Sequence, residues 1–131
     1  MTYRYLTKHQ IIQINRGVIS AAKKVSLGIQ YPQGLDTVVE QPKQVLFGKE
    51  LYPTIWLKAA FIIQKITKKH IFADGNKRTA LITGLTFLRL NNHDVSFSED
   101  EKVNLMVSLT NSPDNENVML NLALKLEQHK I

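Results

Sequence analysis

The chain contains no cysteine. Disulfides, thiolate zinc sites and a cysteine nucleophile are thereby excluded. Proline and glycine are sparse, with 4 and 6 in 131 residues, and no Pro-, Gly- or Ser-rich stretch marks a disordered linker. Long apolar runs are missing too. The longest uninterrupted one is Ala59 to Ile63, far short of the roughly 20 residues that a membrane-spanning helix needs. The start, Met1-Thr2-Tyr3-Arg4-Tyr5, lacks the apolar core of a secretory signal. Together these absences predict a cytoplasmic chain, neither exported by an evident signal nor membrane-spanning.

What is present is an ordinary globular composition, 44% hydrophobic and 21% charged. A length of 131 residues predicts a single domain, residues 1–131, burying about two-thirds of its unfolded surface. The formal charge of +6 favours acidic partners: nucleic acid, a nucleotide's phosphates or an acidic protein segment. The basic residues (Lys23, Lys24, Lys65, Lys68, Lys69, Lys77, Arg78, Arg89) are scattered, without interleaved aromatics to act as base-stacking platforms. Direct nucleic-acid binding is therefore not expected, and a solvated basic surface is the plainer reading of the charge.

Helical periodicity dominates the chain. Thr7 with Gln10 forms a capping-box signature, and Ile11, Ile12, Ile14, Val18 and Ile19 follow at helical spacing, predicting a helix over about Thr7 to Lys24. Gly28 to Gly34, with Tyr31-Pro32 inside, reads as a loop. Leu35, Val38 and Val39 suggest a short helix ending before Pro42, and Pro42 to Gly48 reads as extended. Pro53 suits a first helical turn. Ile55 to Ile66 is apolar on nearly every side except Lys58, Gln64 and Lys65, so this helix should be central. Ala80, Leu81, Leu85, Leu88 and Leu90 continue a second buried helix, stopping near Asn91-Asn92. Ser98 with Glu101 announces another helix, and Ser112-Pro113 opens a last one through Leu126. With no convincing strand ladder or repeat, the class is all-α.

Between the two innermost helices lies His70-Ile71-Phe72-Ala73-Asp74-Gly75-Asn76-Lys77-Arg78. Lys68, Lys69 and His70 close one helix, where cations suit the macrodipole. Lys77 and Arg78 open the next, where positive charge costs roughly 0.3–1 kcal/mol each. A bound anion on the free backbone N–H groups would turn that cost into attraction, and phosphate is the obvious candidate. Gly75 removes a side chain where backbone would approach such a phosphate, and tolerates positive φ. Asp74 reads either as a plain N-cap or as a Mg²⁺ ligand, and His70 either as a helix-end surface histidine or as a general base. Phe72 reads as a core anchor. Base, carboxylate, glycine, amide and two cations within nine residues form the inventory that phosphoryl or nucleotidyl transfer requires.

These residues resemble the Fic signature H-x-F-x-D/E-G-N-G-R with a second arginine three residues on. His70, Phe72, Asp74, Gly75, Asn76 and Arg78 agree, Lys77 replaces the second glycine, and Leu81 stands at the second arginine. Both departures look like the death-on-curing (Doc) branch, which carries Asn-Lys-Arg-Thr-Ala-Leu as in Asn76 to Leu81. Further likeness runs through Gly34-Leu35, Phe47-Gly48, Leu51-Tyr52-Pro53-Thr54 and Phe87-Leu88.

The resemblance implies a compact helical Fic/Doc fold of about five to six helices with a short extended flap, acting as the toxin of a toxin-antitoxin pair. It implies a protein kinase that uses ATP and Mg²⁺ on a Ser/Thr hydroxyl of elongation factor Tu and so arrests translation. Fic-type AMP transfer is the alternative activity on the resemblance, while the charge of +6 motivates a further reading, a non-enzymatic basic binding module. The catalytic set on this reading is His70, Asp74, Lys77 and Arg78. Gly75, Asn76, Lys77 and Arg78 hold nucleotide phosphates, and Asp74 holds the metal. Pro42 to Phe47 matches the target-positioning flap. The antitoxin's C-terminal segment is expected to inhibit in trans.

Overall fold

The computed structural model describes residues 2–24 and 26–131. The fold is all-α, with six α-helices among the described residues and one minimal hairpin. The first helix, α1 (Lys8–Ala21), begins with the expected capping box: the Thr7 hydroxyl accepts from the Gln10 amide at 3.1 Å, and the Gln10 carboxamide accepts from the Thr7 amide at 2.8 Å. It stops three residues short of the predicted end. Lys23 adopts a left-handed φ of 56°, and the amides of Lys23 and Lys24 turn back to the Ser20 and Ile19 carbonyls. That pairing is a Schellman ending, built here without the usual glycine.

Helix α2 (Pro32–Glu40) starts earlier than predicted, because Pro32 occupies its first position and supplies a preset φ. Gly34 thus lies inside the helix rather than in a loop. A β-carbon there would fall 2.5 Å from the Tyr31 ring and 3.2 Å from Ile71, so the glycine permits close packing. Pro42 sits in a 3₁₀ turn, Gln41–Lys43, and only then does the chain extend. Strands β1 (Val45–Leu46) and β2 (Lys49–Glu50) pair antiparallel, Val45 opposite Glu50 and Leu46 opposite Lys49. Phe47 and Gly48 between them have φ of 51° and 76°, the left-handed pair that a two-residue hairpin turn demands.

Helix α3 (Ile55–Lys68) is the axis of the molecule and packs on α2, α4, α5 and α6. Its N-cap is Thr54, whose hydroxyl accepts from the Leu57 amide at 3.0 Å; Pro53 precedes the cap instead of joining the first turn. Ala59, Ala60, Phe61, Ile63 and Ile66 are fully buried. Helix α4 (Asn76–Leu90) lies closest against α3. Gly84 makes this possible, since a β-carbon there would overlap the Ile63 side chain. Helix α5 (Glu99–Thr110) carries the Ser98–Glu101 capping box. Helix α6 (Glu116–Gln128) begins after Pro113, with the Asn115 side chain as its cap at 3.0 Å from the Val118 amide. No helix among the described residues is long and apolar enough to cross a membrane.

Candidate active site between helices α3 and α4

The loop from Lys69 to Gly75 joins the two innermost helices, and its shape follows from what its backbone is bonded to. The Ile71 carbonyl accepts from the Gln30 and Tyr31 amides at 2.7 and 3.0 Å, and the Ala73 amide donates to the Gly28 carbonyl at 3.1 Å. Ile29 and Phe72 form an antiparallel bridge. Ile71 and Phe72 are buried, so the loop is pinned by its apolar residues as well, and Phe72 is the anchor that the sequence suggested. With those two inside, His70 on one side and Ala73 on the other remain exposed. His70 itself has a left-handed φ of 49°, an uncommon conformation for a side-chain-bearing residue and one that accumulates at functional sites.

The start of α4 is unusual. Its N-cap is Gly75, at φ 74°, and no side chain caps the helix. Asp74 is therefore not the N-cap of α4. One of its oxygens accepts from the Gly75 amide at 2.7 Å and the other pairs with the Lys24 ammonium at 3.1 Å. The hydrogen bond from Lys24, followed by that from the Gly75 amide, holds the Asp74 carboxyl below the ordinary aspartate range. The first-turn amides of α4 are left without a side-chain acceptor, and such amides form a preset anion site.

Two of these residues also have work inside the fold. The absent β-carbon of Gly75 faces helix α1, where it would meet Val18 at 3.0 Å and Ile19 at 3.1 Å. Glycine is thus required by the positive φ and by packing against α1, where Val18 and Ile19 also line the cleft. The Asn76 carboxamide accepts from the Phe72 amide and donates to the Phe72 carbonyl, both at 2.9 Å. Both ends of that side chain hold the loop, which leaves only the Asn76 backbone amide to offer an anion.

A cleft of about 620 Å³ opens over this loop, within the range of small-molecule sites. Its lining brings together His70, Asp74, Gly75, Asn76, Lys77 and Arg78, every site residue that the sequence singled out. Lys24 and Lys68 line it as well, so four cations face the single carboxylate of Asp74. Lys24 is engaged by Asp74 and Lys68 by the Thr110 carbonyl at 3.0 Å. Lys77 and Arg78 have no ion-pair partner among the described residues and are exposed. Among those residues no group of three His, Asp or Glu side chains could hold a metal by itself. Asp74, with one oxygen on the Gly75 amide and the other on Lys24, is the one carboxylate that lines the cleft among the described residues, and Mg²⁺ keeps several waters and needs only one or two protein carboxylates.

A family model for the Fic/DOC family matches residues 5–88, a span that includes α1, the hairpin, α3, the loop and most of α4. The chain belongs to the Fic/DOC family. Toxin Doc of Mycolicibacterium smegmatis is 39% identical over 72 residues, which are 50% of this chain and 55% of that protein. The chain thus spans about half the length of the curated relative it matches. In this Fic/DOC chain, Leu81 at the family's second arginine is partly buried against the core, and no charge is held there.

Two supporting residues escaped the sequence reading. Asn15, buried in α1, donates from its carboxamide to the Asp74 carbonyl at 3.0 Å and to the Thr79 hydroxyl at 3.1 Å. The signal was available: Asn15 continues the Ile11, Val18, Ile19 face of α1, where an apolar residue would otherwise belong. Lys24 had no local signal, because only the Schellman ending of α1 carries it to Asp74.

Proposed function

We propose that this chain is the toxin of a toxin-antitoxin pair and a protein kinase of the Doc type. On this reading it transfers the γ-phosphate of ATP to a Ser or Thr hydroxyl of a translation factor, elongation factor Tu by resemblance. The observation that carries the reading is the uncapped, cation-flanked start of α4 facing the same cleft as His70. His70 takes the hydroxyl proton as the oxygen attacks the γ-phosphorus, and the bond to the β,γ-bridging oxygen breaks to release ADP. Lys77, Arg78 and the first-turn amides of α4 stabilise the charge that builds on the phosphate oxygens. Asp74 would hold Mg²⁺, which neutralises phosphate charge when bound. The hairpin 45–50 would pair with an extended stretch of the target, and a flexible acidic antitoxin segment would suit the basic surface.

The identity of residue 77 separates phosphate from AMP transfer. A lysine there fills space at the helix start and adds charge, favouring a nucleotide whose γ-phosphate lies near His70. The test uses ATP labelled at the α- or the γ-phosphate with elongation factor Tu. The γ label alone should reach protein, and His70→Ala should abolish it, since general bases contribute about 10²–10⁴-fold. Lys77→Gly should move the label pattern toward α. Transfer of the α label by the wild type would favour the AMP-transferase reading, and no transfer of either label would remove the enzymatic one.

A further inference from the structure

Lys58 is the anomaly of the core. It lies in the first turn of α3 and is completely buried, where burying a charged group is costly unless it is paired and hydrogen-bonded. Its ammonium donates to the Pro42 carbonyl at 2.7 Å and to a Glu50 carboxylate oxygen at 3.0 Å. The rings of Tyr3 and Tyr5 stand 5.8 Å away, at cation–π distance. Pro42 lies just before β1 and Glu50 ends β2. One ammonium therefore grips both legs of the hairpin and nothing at its tip.

The rest of the hairpin has little to hold it. Its ladder is two residues long on each side, which by itself is at best marginally stable in water. The Leu51 amide closes the base on the Gln44 carbonyl at 2.9 Å. Val45, Leu46 and Leu51 are exposed, and Phe47 is 95% exposed, so no apolar burial fixes the tip. An apolar side chain at position 58 would pack in the core but would leave the Pro42 carbonyl and the half-exposed Glu50 carboxylate without their shared donor. What the lysine adds over an apolar residue is therefore the tie between α3 and the hairpin base.

We propose that Lys58 is a positioning residue: it clasps the hairpin to the central helix and fixes the direction in which the hairpin presents its open strand edges to the protein target. This rests on the kinase reading for the identity of the bound partner, while the clasp itself does not. Lys58 touches neither the cleft nor its loop residues, so its effect falls on target binding and not on the nucleotide.

The experiment compares wild type, Lys58→Met and Glu50→Gln in the full chain. Amide hydrogen exchange reads the clasp, and separate KM and kcat values for the protein target, with nucleotide affinity, read its use. In Lys58→Met, exchange of the Leu51 amide should quicken about tenfold, and KM for the target should rise about tenfold while kcat and nucleotide affinity stay unchanged. Glu50→Gln releases one leg at a half-exposed position and should move both readouts in the same direction by less. Wild-type exchange in both variants overturns the clasp. So does an unfolded Lys58→Met beside a Glu50→Gln that behaves as wild type. Faster exchange with no transfer to any protein by the wild type leaves the clasp standing and sinks the kinase reading instead.

Discussion

Helix α3 has two flanks, and they are built on opposite principles. The loop after it, which carries His70 and Asp74, is stitched by backbone bonds to residues 28–31, by both ends of the Asn76 side chain, and by Asn15. The hairpin before it is gripped at its base by Lys58 and otherwise left in solvent. Chemistry needs atoms held to fractions of an ångström. A surface that meets a macromolecule gains from an open edge that can adapt. The difference teaches that in this fold rigidity follows from where polar side chains are used up internally, and openness from where they are not.

The sharpest way to break the contrast is to unstitch the rigid flank. Asn76→Ala removes both side-chain bonds to Phe72, leaving a buried backbone amide and carbonyl without partners. Stability should fall by about 1–3 kcal/mol, measured by urea unfolding, and transfer should fall up to about 10²-fold through misplacement of His70. Gly84→Ala instead disturbs the packing of α4 on α3. Overlap with Ile63 costs about 1–3 kcal/mol, offset by roughly 1 kcal/mol from helix propensity. Calorimetry should show a lower Tm, with ATP affinity retained. On the open flank, Phe47→Ser should change stability by less than about 0.5 kcal/mol while raising KM for the protein target.

The smallest effect concerns neither flank and serves as a control. His129 bonds to the Lys125 carbonyl at 2.7 Å and to Glu101 at 3.0 Å, and these contacts, the carbonyl first, raise its pKa above the ordinary histidine value. The Glu101 carboxyl is lowered, first by the Ser98 amide and then by His129. The histidine contribution is complete below its unfolded pKa and disappears as pH rises through the raised folded value; the glutamate contribution disappears as pH falls through the lowered one. Against His129→Asn, the wild type should gain more Tm near about pH 5.5 than near about pH 9. The cleft should not respond.

Much of this was legible in the sequence. Both capping boxes form as spaced, α3 is the central helix, and the nine-residue motif folds into one cleft, because each rests on local chemistry or strong periodicity. What escaped the sequence depends on contacts between distant segments. Pro53 and Pro113 lie ahead of their helices because Thr54 and Asn115 are better caps. Gly34 reads as a loop residue in isolation, yet it serves a helix pressed on Tyr31 and Ile71. Asp74 yields the cap to Gly75 because its carboxylate is drawn toward Lys24, a residue 50 positions earlier in the chain. Lys58 was visible as an exception on an apolar helix, but its two partners appear only once the hairpin is folded.

The central claim is that the first turn of α4 receives nucleotide phosphates. The most direct measurement is an amide chemical-shift titration with a non-hydrolysable ATP analogue and Mg²⁺. The account predicts the largest shifts at Gly75, Asn76, Lys77 and Arg78, with a smaller response at Lys24 as Asp74 changes partner and none at the hairpin. Saturable binding whose shifts leave those four amides unmoved would contradict it.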